Sequence, residues 1–168
     1  MKLETKRLIL RETTPEDVEN MFRLHSNVDV QKYTGDKTVH TIDEIEKMLT
    51  YKEKEYQEIG FGRWVTILKE GNQFVGWAGL KYLDDINEVD LGYRFLPEYW
   101  GMGIATEASK AILEYGFNKL NLKKIIALAI PENKPSVRVM EKVGMEFDKI
   151  GPYESCGIDT AVWYKIEK

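Results

Sequence analysis

The chain is poor in the residues that build covalent and metal-based sites. Among 168 residues it has one cysteine, Cys156, and two histidines, His25 and His40. A lone thiol excludes an internal disulfide, and three scattered soft ligands lack the number and spacing of a zinc cluster, so no metal is expected. Long apolar runs are also missing. The longest is Ile125–Ile130, far short of the ~20 residues that span a bilayer. The opening MKLETKRLIL lacks the apolar core, roughly 7–15 residues long, of a secretory signal. No basic excess exists, since the formal net charge is −4, which argues against a dedicated nucleic-acid binder. These absences point to a reduced, cytoplasmic, soluble protein without membrane or nucleic-acid partners.

Linkers are lacking as well. The prolines at 15, 97, 131, 135 and 152 stand singly, and no Gly/Ser tract or internal repeat occurs. One domain over 1–168 is expected, a length that suits a single core.

The patterns that are present alternate between period two and helical spacing. Lys6–Arg11 reads as a strand. Thr14-Pro15-Glu16-Asp17 then opens a helix through a capping box with proline in the first turn. Ser26–His40 is irregular. Thr41-Ile42-Asp43-Glu44 forms a second capping box, and its helix should stop by Gly60. Three strands follow at Phe61–Leu68, Phe74–Tyr82 and Glu88–Leu96 with short turns between them, which suggests an antiparallel meander. A helix from Ile104 to near Asn118–Asn121, the strand Ile125–Ile130, a short helix that Pro131–Ser136 opens and Gly144 ends, and strands at Met145–Tyr153 and Ile158–Ile166 complete the chain. The order is β-α-α-β-β-β-α-β-α-β-β. That is an α+β fold with a mixed sheet, because strand–helix–strand between Leu96 and Ile125 implies one parallel pair.

The segment with chemical content is Pro97 followed by Trp100-Gly101-Met102-Gly103-Ile104-Ala105, at a strand-to-helix junction. Glycine lets backbone approach a ligand closely, and the N–H groups of a helix start favour an anion such as a pyrophosphate. The same two glycines also suit a plain tight turn. A Rossmann fingerprint is excluded by Thr106 at its third small position and by the antiparallel strands before it. No P-loop Gly-Lys-Ser/Thr exists.

The motifs resemble those of the Gcn5-related N-acetyltransferase superfamily, and within it the RimJ/RimL-like branch that acetylates ribosomal-protein N-termini. The resemblance rests on Thr5–Arg11 with Thr14–Asp17, on Asp90-Leu91-Gly92-Tyr93, on Pro97–Ala108, and on Asn133–Ser136 with Glu141–Met145. It implies the fold of that superfamily and an acetyl-CoA-dependent N-acetyltransferase that passes acetyl directly to an amine. It also implies that the backbone of Gly101, Met102, Gly103, Ile104, Ala105 and Thr106 holds the CoA pyrophosphate. The backbone of Tyr93, Arg94 and Phe95 would pair with pantetheine and polarise the thioester carbonyl. Asn133 would touch the pantetheine arm, and Ser136 would lie near the sulfur. Two positions depart from the family: Met140 stands where many relatives have a tyrosine acid, and Leu128 lies near a glutamate base of others.

The attacking amine must be unprotonated. A lysine-like amine near ~10.4 costs roughly 4.6 kcal/mol to deprotonate at pH 7, an α-amine near ~7.8 only about 1 kcal/mol. A single carboxylate, acting directly or through water, therefore suffices for an α-amine. Asp90 is the candidate base, against the alternative of a solvent-facing strand charge. Tyr93 and Ser136 are the candidate donors to the leaving thiol, against a structural tyrosine and a helix-start hydroxyl. The tryptophans at 64, 77 and 163, with Phe61 and Phe74, read as core or pocket wall. His25 and His40 read as surface residues. The acceptor is expected to approach between Ser26–His40, the early helices and the Gly151–Asp159 loop. A protein N-terminus, polyamine, amino acid or antibiotic amine all fit, as do a monomer and a homodimer. A non-catalytic acyl-CoA sensor is the rival reading.

Overall fold

The computed structural model describes residues 2–168, with side chains from Leu3 onward. Eight strands form one sheet in the order β1-β2-β3-β4-β5-β6-β8-β7. These are β1 (Lys2–Glu4), β2 (Leu8–Arg11), β3 (Arg63–Leu68), β4 (Gln73–Leu83), β5 (Glu88–Phe95), β6 (Lys124–Ala129), β7 (Glu146–Tyr153) and β8 (Ile158–Glu167). Five α-helices accompany them: α1 (Val18–His25), α2 (Val28–Gln31), α3 (Ile42–Ile59), α4 (Ile104–Asn118) and α5 (Lys134–Lys142). The expected order is present, with β1 and α2 added. The meander is β3-β4-β5, and the one parallel pair is β5–β6.

Both capping boxes form. Thr14 and Asp17 satisfy each other's backbone before α1, and Thr41 and Glu44 do so at the start of α3. Asp17 also takes a two-pronged ion pair from Arg11, at 2.7 and 2.8 Å, which fastens α1 to β2. Gly60 ends α3 in the left-handed region, where glycine avoids a Cβ clash.

Period-two alternation sorts the sheet into two faces. Leu8, Leu10, Trp64, Ala78, Leu91 and Phe95 pack with Ile104, Ala108 and Ile112 of α4 and Met140 of α5. Val65, Ile67, Phe74 and Trp77 point the other way and pack with Met21, Leu24 and Ile45 of α1 and α3. Each such fully buried aliphatic side chain contributes about 1.5–3 kcal/mol. Further along that second face, Ile126 and Trp163 with Tyr153 make a smaller cluster beneath the β7–β8 hairpin. No helix among the described residues is long and apolar enough to cross a membrane.

Candidate active site

The sheet opens at its parallel pair. Among the described residues β5 and β6 share one register pair, Asp90 with Ile126, and the Lys124–Glu88 ion pair lies at the same end. β5 is meanwhile paired to β4 along its whole length, up to Phe95 against Gly76. From Leu91 onward β5 therefore turns an unpaired backbone edge toward β6. The starts of α4 and α5 follow the ends of these two strands.

The α4 start is built differently from those of α2, α3 and α5. Asn27, Thr41 and Asn133 cap α2, α3 and α5 with side-chain oxygens, whereas Gly103 caps α4 with no side-chain bond. The first intrahelical donor is the Glu107 N–H, to the Gly103 carbonyl. The N–H groups of Ile104, Ala105 and Thr106 thus precede the hydrogen-bond ladder. Gly101 and Gly103 both have φ of 75°, a conformation that favours glycine. A Cβ on Gly101 would meet nothing within 4 Å, so its glycine is needed for backbone shape rather than for space.

Arg7 braces this loop, a role with no local sequence signal beyond its place in the N-terminal motif. Its Nη1 donates to the Met102 carbonyl at 2.9 Å and its Nε to Glu107 at 2.6 Å, while Thr5 also holds Glu107. Glu107, which opposes an anion at the helix start, is thereby neutralised. The Trp100 indole donates to the Phe95 carbonyl at 2.7 Å. It ties the loop to the end of β5 and engages one of the carbonyls expected to face pantetheine.

The candidate chemical residues separate onto the two faces of β5. Tyr93 points toward α5, where its hydroxyl lies 3.0 Å from Ser136 Oγ. Burial pushes the Tyr93 phenol up to about 12, and the Ser136 hydrogen bond pulls it back only in part. Asn133 Oδ1 accepts from the Ser136 N–H at 3.3 Å, so this side chain caps α5 itself, a duty distinct from the expected pantetheine contact. Met140 packs in the main core and Leu128 beside the Trp163 cluster. Neither thioether nor alkyl group can carry a proton.

Asp90 points to the α1–α3 side. It is 6% exposed, which corrects the reading of a solvent-facing strand charge. Arg63 Nη2 holds its Oδ2 at 2.7 Å. Burial raises the Asp90 carboxyl above its ordinary value, against the charge and hydrogen bond of Arg63. Ion pairing thus keeps a buried carboxylate usable as a base. Arg94 also points to this side, donating to Gln31 Oε1 at 3.0 Å and pairing with Asp36.

His25 corrects a second expectation. It is 4% exposed, and its Nε2 accepts from the Trp77 indole N–H at 3.3 Å. His40 is exposed, as expected. Across from them, a Cβ on Gly35 would lie 3.2 Å from the Cys156 carbonyl oxygen. The 34–36 loop and the β7–β8 turn therefore meet over this face. Ser155 and Tyr153 both bond Asp85, fixing the turn from below. Cys156 itself is exposed. Among the described residues no group of three or more His, Cys, Asp or Glu could hold a metal ion.

Residues 7–146 match the family described as an acetyltransferase (GNAT) domain. The uncharacterized N-acetyltransferase YoaA of Bacillus subtilis is 32% identical over 145 residues, which are 86% of this chain and 82% of that protein. An acetyltransferase structure of the GNAT family from Bacillus anthracis superposes with a TM-score of 0.84 at 30% identity, covering 99% of this chain and 98% of that one. The RimL ribosomal L7/L12 α-N-protein acetyltransferase in complex with coenzyme A has a TM-score of 0.85 over 99% of this chain and 98% of its own. At 15% identity, that likeness concerns the fold alone.

Proposed function

The chain belongs to the GNAT acetyltransferase family and is an acetyl-CoA-dependent N-acetyltransferase, and from that premise we propose that it acetylates a primary amine by direct attack in a ternary complex. One observation carries the reading: the uncapped α4 start is tied to the end of β5, a strand whose edge is open from Leu91 onward and whose Asp90 is a buried, ion-paired carboxylate. The backbone of Gly101–Thr106 holds the pyrophosphate and that of Tyr93–Phe95 runs along pantetheine. The acetyl thioester supplies the activated acyl group.

Asp90 takes the proton of the attacking amine, directly or through one water. The new C–N bond forms as the C–S bond breaks, and the sulfur leaves as a thiolate. Tyr93 and Ser136 donate hydrogen bonds to that sulfur. A phenol near about 12 retains its proton beside a thiolate whose ordinary pKa is ~8.5, so it stabilises the leaving group without ionising. Backbone N–H groups supply the remaining charge stabilisation. The acceptor arrives from the α1–α3 side, past the 34–36 loop. The motif set supports a RimJ/RimL-like enzyme working in the cytoplasm, as a monomer or homodimer, with a protein N-terminus or a small amine as acceptor.

Calorimetric titration with acetyl-CoA tests the first half. The chain should bind, and Gly103→Glu, which puts a carboxylate at the anion site, should not, with circular dichroism confirming that the variant folds. No binding by the wild type at millimolar acetyl-CoA overturns the reading. Thiol release across a panel of amines tests the second half. Binding without turnover on any acceptor would leave an acyl-CoA sensor, the role that Met140 and Leu128 would suit.

A further inference from the structure

Two arginine–aspartate pairs tie this fold together, and they are made differently. Arg11 gives Asp17 two donors, and both carboxylate oxygens are engaged. Arg63 gives Asp90 one donor, Nη2 to Oδ2 at 2.7 Å. Arg63 Nε lies on the same edge of the guanidinium, an edge able to grip both oxygens of a carboxylate. It is buried and has no partner. A buried donor without an acceptor is costly to keep, and a pair that served packing alone would take the second bond. Asp90 Oδ1 has no hydrogen-bond partner among the described residues and is not enclosed as that Nε is.

The sheet is shaped to let Arg63 reach Asp90. Arg63 begins β3, its register partner is Gly79 on β4, and the partner of Gly79 is Gly92 on β5. The side chain thus crosses β4 to meet β5. A Cβ on Gly79 would lie 2.6 Å from Arg63 Cα, and one on Gly92 2.8 Å from Nη2. Neither glycine has a positive φ, so both supply room rather than backbone freedom. Trp77 supports the guanidinium, with Cζ 4.9 Å from a ring centroid, and His25 holds that indole at 3.3 Å. Lys52 and Arg94 flank the same indole. Tyr56 donates to the Arg63 carbonyl at 2.5 Å. Two further groups act electrostatically with Asp90: Lys81, its register partner on β4, and Tyr153 on β7. Glu88, two residues before it, is taken by Lys124.

We propose that Arg63 is the positioning residue of acetyl transfer: it holds Asp90 by Oδ2 alone, so that Oδ1 is left to take the amine proton, and it keeps that place through the missing side chain of Gly92. This rests on the acetyltransferase reading with Asp90 as base. The C–N bond forms as the C–S bond breaks, the proton moves from nitrogen to Oδ1 directly or through one water, and sulfur leaves with the electron pair. The charge of Arg63 stays on Oδ2 throughout. Without it the buried carboxyl takes up its proton at higher pH and loses its fixed direction.

The test compares Arg63→Met, Arg63→Lys and Gly92→Ala, which crowds the guanidinium while keeping both charges. In the CoA-loaded protein, the Asp90 carboxyl carbon is followed by NMR against pH, with Asp90→Asn identifying the signal. Its midpoint should rise by about one pH unit or more in Arg63→Met, the usual scale of a neighbouring opposite charge. It should rise part of the way in Gly92→Ala and least in Arg63→Lys. The acid limb of kcat should follow the same order, read with a serine-initiated peptide, spermidine and glycinamide as acceptors. Acetyl-CoA affinity by calorimetry should be unchanged, which reports that the variants fold. A merely structural role would lower kcat at every pH and leave the limb in place. The inference is overturned if Arg63→Met and Gly92→Ala keep the wild-type midpoint and limb, or if Arg63→Lys moves them as far as Arg63→Met. Asp90→Asn should lower kcat by about a hundredfold or more. An active Asp90→Asn, or no turnover on any of the amines, overturns the base beneath this inference and the inference with it. Failure to bind acetyl-CoA overturns the acetyltransferase reading itself.

Discussion

Acidification should destabilise this protein through one imidazole. His25 is buried among Arg94, Lys52 and Arg63, and desolvation first, then those cations, lowers its pKa from 6.5 to about 3. Charging the ring also replaces the Nε2 lone pair that accepts from Trp77 with a donor. The folded state therefore stays neutral over a range in which the unfolded state takes up a proton. Stability from this group is complete above 6.5 and is lost as the pH falls toward 3. At ~1.36 kcal/mol per pH unit, the loss reaches about 2 kcal/mol by pH 5 and about 4 kcal/mol by pH 3. Against a total stability of roughly 5–15 kcal/mol, that is a large fraction. Urea unfolding of the wild type and of His25→Gln at pH 7, 6 and 5 measures it. Glutamine keeps a polar group for Trp77 and does not titrate. The wild type should lose about 2 kcal/mol more than the variant between pH 7 and 5. Parallel curves for the two proteins would refute the assignment of a neutral, buried His25.

Other expectations concern the charges and hydrogen bonds of the site. Lys52, held down to about 7 by burial and then by Arg63, is less protonated in the fold than in the unfolded chain between pH 7 and 10.5. Wild-type stability should therefore rise with pH across that window, while Lys52→Met should be flat and more stable at pH 7 by a few kcal/mol, read from urea midpoints. Arg7→Met, which frees the Met102 carbonyl and Glu107, should raise the acetyl-CoA Kd by about fivefold, since this half-exposed pair is worth only about 1 kcal/mol. Calorimetry reads that change. Tyr93→Phe should lower kcat by about tenfold with acetyl-CoA affinity intact, and adding Ser136→Ala should cost at most about twofold more, because the two hydroxyls act together.

Much of the framework is legible in the sequence because its signals are local. Thr14–Asp17 and Thr41–Glu44 announce helix starts from four adjacent residues, Gly60 and Gly144 announce stops, and alternation along 88–96 places Asp90 and Tyr93 on opposite faces. The loop from Trp100 to Ala105 is legible for the same reason. What escapes the sequence is made by pairs far apart in the chain. His25 is buried because Trp77, 52 positions later, needs its ring nitrogen. Asp90 is withdrawn from solvent by Arg63, 27 positions earlier, and Lys52 points from mid-helix toward an indole on β4. α2 and β1 are four and three residues long, too short to complete a period, and only the neighbours they pack or pair with define them.

The single register pair between β5 and β6 has a mechanical meaning. On one side lie β1–β5, on the other β6, β8 and β7, and among the described residues no further register pair joins them past Asp90 and Ile126. A cosubstrate running along the β5 edge would serve as a temporary strand that stitches the two halves. Its binding free energy would then appear as slower amide exchange in β6 and β8, well beyond the residues it touches, and as a higher melting temperature that rises with its concentration. An incomplete sheet of this kind is most cohesive while substrate is in place and loosens when product departs.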